Sequence, residues 1–137
     1  DKAIKYYTSM TSSSGEVGYS GMGFGQSTAR TSIAALVYSV ARRKDLPQFK
    51  ATLGQLTQRL DVSNDSYAEY AMYYQAQALF QGDFEAWQKW NERLVRQLKA
   101  TQAQDGSFNS NFGQTVGTSM SLLSLALNYR FLPIYER

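Results

Sequence analysis

The chain has 137 residues, enough for one domain around a single core, and its 14 Lys and Arg against 11 Asp and Glu leave a net charge of only +3. The basic residues are interleaved with Asp, Glu and Gln, which makes a solvated surface and not a nucleic-acid stripe, so nucleic acid is not expected as a partner. Cysteine and histidine are both absent, which removes disulfides, thiolate zinc sites, His metal sites and His-based triads, and no run approaches the roughly 20 apolar residues of a membrane span.

In chain order, residues 1–10 predict the end of a helix. Residues 11–27 are rich in Gly and Ser, and they cannot form a helix interior because each Gly there costs about 1 kcal/mol against Ala. The rings of Tyr19 and Phe24 predict a loop pinned to the body, not a free linker. A helix is predicted over 28–44, capped by Ser27 or Thr28. Ile33, Leu36, Val37 and Val40 fall at i, i+3, i+4 and i+7 and should form its buried face. Arg42, Arg43 and Lys44 suit the negative end of its dipole. Asp45 is predicted to cap the next helix, 46–61, with Pro47 in the first turn, where a missing N–H does no harm. Phe49, Leu53, Leu56 and Leu60 make that helix's inner stripe; Lys50, Gln55, Gln58 and Arg59 should face water.

Ser66 and Glu69 have capping-box spacing at the start of a helix over 65–81, with Gly82 as its C′ stop. Asp83 is predicted to cap a helix over 84–101. Trp87, Trp90, Leu94 and Leu98 are its buried stripe, and Glu85, Lys89, Glu92, Arg93 and Arg96 its wet face. A second Gly- and Asn-bearing loop leads to a last helix over 116–131. That helix carries Met120, Leu122, Leu123, Leu125 and Leu127, is apolar nearly all round, and should be covered on most sides. The helices therefore alternate between small, apolar or Tyr-rich ones and amphipathic ones with charged faces, as expected when an outer layer shields an inner one.

The sequence also repeats itself. Phe24-Gly25-Gln26-Ser27 matches Phe112-Gly113-Gln114-Thr115, and Thr31-Ser32-Ile33-Ala34-Ala35-Leu36 matches Thr118-Ser119-Met120-Ser121-Leu122-Leu123. Leu46-Pro47-Gln48-Phe49 matches Leu132-Pro133-Ile134-Tyr135, and Gly15 and Gly106 precede the two copies. Repeated hairpins stack because one alone cannot bury its apolar face. The expected fold class is all-α: about six helices in antiparallel hairpins over a single domain, 1–137.

Leu98, Gln102, Gly106 and Phe108 together resemble the QW motif of the prenyltransferase and squalene-cyclase repeat, with Phe108 in the usual Trp position. Trp87, Trp90 and Asn91, the loop 104–108 and the segment 128–135 look like uncharacterised bacterial members of that family. The resemblance implies an α/α toroid, of which this chain would be a partial one and so a fragment of a larger chain. It also implies that the Gln and the ring tie an outer helix to the following loop, a role carried onto Gln102, Gly106 and Phe108 alone.

The family's chemistries find no support. Cyclases that start by protonation use an Asp-rich acid motif, whereas Asp61, Asp65, Asp83 and Asp105 stand apart in cap or turn positions. Protein prenyltransferases hold zinc with Asp, Cys and His, and thioester domains need Cys; neither set is available. Gly21, Gly23 and Gly25 resemble a phosphate loop only in glycine count, with no Lys or preceding strand. No cofactor is expected. The most site-like feature is aromatic: Tyr67, Tyr70, Tyr74 and Gln77 share one helical face. Joined to Tyr19, Phe24 and Arg30 from the first Gly loop and to Phe108 from the second, they form a candidate ligand pocket. The plainer alternative is that the rings pack helix contacts.

The expected function is a non-catalytic helical-repeat binding or scaffold domain, part of a larger secreted or envelope protein. The alternative is a fragment of a terpenoid-cyclase-like enzyme whose catalytic acid lies outside this chain. The expected ligand is a small molecule or peptide. Leu122, Leu125 and Leu127 should be covered by a second copy in a two-fold dimer, by the missing part of a longer chain, or by the chain's own N-terminal helix.

Overall fold

The computed structural model describes residues 2–22, 25, 27–62 and 67–130. Among these residues six helices follow one another: α1 (Lys2–Met10), α2 (Thr28–Val40), α3 (Pro47–Gln58), α4 (Ala68–Gly82), α5 (Phe84–Thr101) and α6 (Gln114–Ala126). Among the described residues there is no strand, only a single antiparallel bridge between Thr11 and Val17. The all-α class holds. No described helix is long and apolar enough to cross a membrane.

Local chemistry sets most boundaries. Ser27 Oγ accepts the Arg30 N–H at 3.3 Å and caps α2, and Asp83 Oδ1 accepts the Ala86 N–H at 3.0 Å and caps α5. Pro47 opens α3 as expected. The expected cap by Asp45 does not form. Leu46 is the N-cap with no side-chain bond, and Asp45 instead takes both arms of Arg43, at 2.9 and 3.0 Å. A bidentate guanidinium is a stronger partner for a carboxylate than one backbone N–H. It holds the Asp45 carboxyl below its ordinary range. Ser66, the first half of the capping box, lies outside the described residues. Gly82 is the last residue of α4, not a left-handed stop beyond it; a Cβ there would lie 2.7 Å from Leu53 Cδ1, so its role is clearance between α4 and α3.

The helices form two sets. α4 packs against both α2 and α6, α3 lies against α2 and α4, α5 against α4 and α6, and α1 against α2. The alternation read from the sequence thus becomes a row of α2, α4 and α6 flanked by α1, α3 and α5. The main core joins Trp87, Trp90, Leu94 and Leu98 of α5 to Met72, Ala76 and Leu79 of α4, with Phe108 and Leu127 closing it. Each large apolar side chain fully buried there contributes about 1.5–3 kcal/mol. A second cluster seats Ile4 and Met10 of α1, Ala34 and Tyr38 of α2 and Phe49 of α3 around Val17.

Two helices present a different face from the expected one. On α2 the buried residues are Ala29, Thr31, Ser32, Ala34, Ala35, Tyr38 and Ser39, whereas Ile33, Leu36 and Val37 are half-buried and Val40 is 53% exposed. On α6 the inner face is Gly117, Ser121, Ser124 and Leu127, and Leu122 and Leu123 are 56% and 41% exposed. The reason is close approach. Small side chains let backbones come together, and a Cβ on Gly117 would run into the Phe108 carbonyl oxygen. α6 is therefore not covered nearly all round. Leu127 needs no outside partner, because the chain buries it.

Candidate functional site

The two glycine loops are built alike. In the first, the Ser12 N–H donates to Glu16 O at 2.9 Å and the Gly15 N–H to Ser12 O at 3.0 Å. In the second, the Ala103 N–H donates to Ser107 O and the Gly106 N–H to Ala103 O, both at 2.9 Å. Gly15 and Gly106 sit at φ +90° and +86°, a region that favours glycine. Residue for residue, Ser12 stands for Ala103, Glu16 for Ser107 and Val17 for Phe108, and both of the last pair are buried. Gly25 and Gly113, at φ +71° and +92°, then lead into α2 and α6. The repeat read from the sequence is a repeat of backbone geometry.

Each loop is tied down by its own side chains. Arg30 of α2 donates from Nε to Val17 O at 3.1 Å and from Nη2 to Gly25 O at 2.8 Å. Gln55 Nε2 of α3 donates to Ser14 O at 2.7 Å. In the second loop Gln102 Nε2 donates to Gly106 O at 2.9 Å, and the Phe108 N–H donates to Thr118 Oγ1 of α6 at 3.0 Å. Asp105 Oδ1 accepts both the hydroxyl and the N–H of Ser107, at 2.6 and 3.0 Å, while Oδ2 accepts from Gln114. The Ser107 hydroxyl, then its N–H, hold the Asp105 carboxyl below its ordinary value. The Gln102 bond is exposed to water, so Gln102→Ala is expected to cost only about 0.5–1.5 kcal/mol, read by denaturant unfolding.

The candidate pocket residues fall into separate groups. Tyr19 is 76% exposed, with the Arg30 guanidinium 5.8 Å from its ring centre. Phe24 lies outside the described residues. Tyr67, 60% exposed, stacks on Phe112 at 5.8 Å, and Tyr70 meets the same ring edge-on at 5.5 Å. Tyr74 packs edge-on with Tyr73 at 4.9 Å, and Gln77 is buried inside α4. Burial raises the pKa of Tyr7, and the charges that Tyr6, Tyr74 and Tyr38 would carry push it the same way. Among the described residues the ring contacts group Tyr67 and Tyr70 with Phe112, and Tyr74 with Tyr73. Phe112 was not singled out as a site residue, although its repeat match to Phe24 marks it as the equivalent loop ring.

Carboxylates enter two cavities near these loops. One, of about 50 Å³, is lined by Glu16, Ser27, Thr31, Gln55 and Arg59. The other, of about 200 Å³, lies between α4, α5 and α6 and is lined by Glu69, Met72, Leu98, Phe108, Gly117 and Ser121 among others. Glu69 Oε2 is buried and accepts no hydrogen bond from the described residues. Among the described residues no second carboxylate lines this cavity, and no group of three acidic side chains is placed to hold a metal ion. Among the described residues the arrangement provides a ring-lined ledge and a buried acid at Glu69. Compared with family models, with curated proteins and with solved structures, the chain matches none.

Proposed function

We propose that the chain is a non-catalytic helical-repeat binding domain of the prenyltransferase and squalene-cyclase repeat type. The α/α-toroid arrangement is part of this proposal. The supporting observation is the ledge of Tyr67, Phe112 and Tyr70. One repeat loop delivers Phe112 onto α4, and the stack is left open to water, with Phe112 43% exposed. Exposed rings held in a fixed stack suit a ligand with a flat or ring-shaped apolar face, a sugar or a prolyl or aromatic peptide side chain. The N-terminal half-turns of α4 and α6 next to it carry backbone N–H groups that can meet the ligand's polar atoms.

The test is an NMR titration of the chain with oligosaccharides, proline-rich peptides and prenyl alcohols. Saturable shifts centred on Tyr67, Tyr70 and Phe112, lost in Phe112→Ala at unchanged helicity, are expected with one of the first two sets. Binding of prenyl alcohols alone, centred on Glu69, would overturn this reading in favour of the terpenoid-cyclase-like fragment.

A further inference from the structure

The two repeats differ at one position that borders the cavity between α4, α5 and α6. The alignment of Thr31 with Thr118 pairs Arg30 with Gly117, and the two glycine turns pair Val17 with Phe108. In the first repeat Arg30 reaches from helix to loop and donates from Nε to the Val17 carbonyl at 3.1 Å. In the second, a Cβ on Gly117 would run into the equivalent carbonyl of Phe108, so no side chain can take the corresponding place. α6 carries no Lys or Arg, and the second loop receives no cation from its own inner helix.

The cavity of about 200 Å³ opens beside that glycine. Met72, Leu98 and Phe108 give it apolar walls, and the exposed Gln97, Thr101 and Asn109 give it a polar edge. Among its described walls Glu69 is the only charged side chain. Glu69 Oε2 is buried without a donor, which costs free energy that a ligand bringing an N–H to it recovers. The torsion that turns a glutamate carboxylate is soft. Among the described residues no hydrogen bond holds Oε2 where it is, so the oxygen can swing to meet a donor in the cavity.

We propose that this cavity binds a small organic cation with N–H donors, a primary alkylammonium or alkylguanidinium. Its head bonds the Glu69 carboxylate and its stem lies against Met72, Leu98 and Phe108. The ligand brings from outside the kind of group that Arg30 supplies in the first repeat. A bond between a cationic N–H and a carboxylate is among the strong hydrogen bonds, and the face of a phenyl ring attracts a cation as well. The remaining N–H groups of the head meet side-chain oxygens of Gln97, Thr101 and Asn109. The space is smaller than the roughly 300–1,000 Å³ of sites for drug-sized ligands, which limits the stem to a few carbons. The described walls do not include Tyr67, Tyr70 or Phe112, so the site stands independently of the ring ledge.

Butylammonium and butylguanidinium, titrated into the whole chain and followed by NMR, should give saturable shifts centred on Glu69, Gln97 and Asn109. Butanol has the stem without the charge, and tetramethylammonium the charge without an N–H; each should bind about tenfold more weakly or less. Glu69→Gln removes the charge and keeps the side chain's shape and its capacity to cap a helix, so helicity should hold while affinity falls by about tenfold or more. Gln97→Lys, at an exposed position on the cavity's edge, sets an ammonium of the chain's own beside Glu69 and should weaken binding as much. The absence of a saturable shift with either cation would overturn the proposal. Undiminished binding by both variants, or butanol binding as tightly as butylammonium, would reduce the site to an apolar hole and overturn it too. Shifts confined to Tyr67, Tyr70 and Phe112 would do the same, since they put the cation on the ring ledge.

Discussion

Phe108→Ala is expected to destabilise the chain by about 3 kcal/mol or more, the usual loss when a buried ring is deleted. The ring belongs to the main core with Leu98 and Trp90, and its backbone N–H is fixed by Thr118 of α6, so neighbours cannot close easily over the gap. The ring also lines the cavity of about 200 Å³ beside Glu69, and deleting it enlarges a void that already exists. That cavity distinguishes Phe108 from an ordinary core position. Phe108→Trp, which restores the ring usual at this place in the repeat it resembles, has room to extend and should change stability by less than about 1.5 kcal/mol. Denaturant unfolding at unchanged m-value measures both. A loss below about 1 kcal/mol for Phe108→Ala would show that the ring does not seal the core.

The amphipathic helices were the most legible part of the fold. On α5 the spacing of Trp87, Trp90, Leu94 and Leu98 named the buried face, because one side packs on the core and the other carries charge. α2 and α6 misled for the opposite reason. Their inner faces are made of Ala, Ser and Gly, which a hydrophobic pattern scores as neutral or polar. A serine is cheap to bury in a helix when its hydroxyl bonds its own backbone, as Ser124 Oγ does to Met120 O at 2.8 Å. The larger Ile33, Val37 and Val40 drew the eye to a face that the chain leaves partly open.

The candidate site was legible only in pieces. The face expected of Tyr67, Tyr70, Tyr74 and Gln77 is long enough to pass several neighbours. Tyr67 and Tyr70 sit at the loop end of α4 and meet Phe112, while Tyr74 and Gln77, one or two turns on, lie beside other rings or inside the row. Arg30, expected at a ligand, donates to two carbonyls of its own loop. A guanidinium placed where a glycine-rich backbone leaves carbonyls unpaired is taken up by them, and nothing in the spacing of the sequence distinguishes that from a ligand contact.

The glycine turns supply the second large effect, through a contrast between two equivalent positions. Gly15 and Gly106 share a positive φ, so alanine at either pays backbone strain of about 1–3 kcal/mol. Their surroundings differ. Beyond Gly106 the nearest atom to an added Cβ is Gln102 Nε2 at 3.9 Å, and nothing needs to move. A Cβ on Gly15 would strike the carbonyl of Ala51 and lie 2.8 Å from Thr52 N, backbone in the middle of α3 that cannot step aside as a side chain can. The first turn would have to lift off α3, breaking the Gln55 bond to Ser14 O and loosening Val17 in its cluster. Gly106→Ala should therefore show the strain alone. Gly15→Ala should lose at least about twice as much, from strain plus a disrupted buried contact. Parallel denaturant curves of the two variants measure the difference directly, and equal losses would mean that the first turn is not seated on α3.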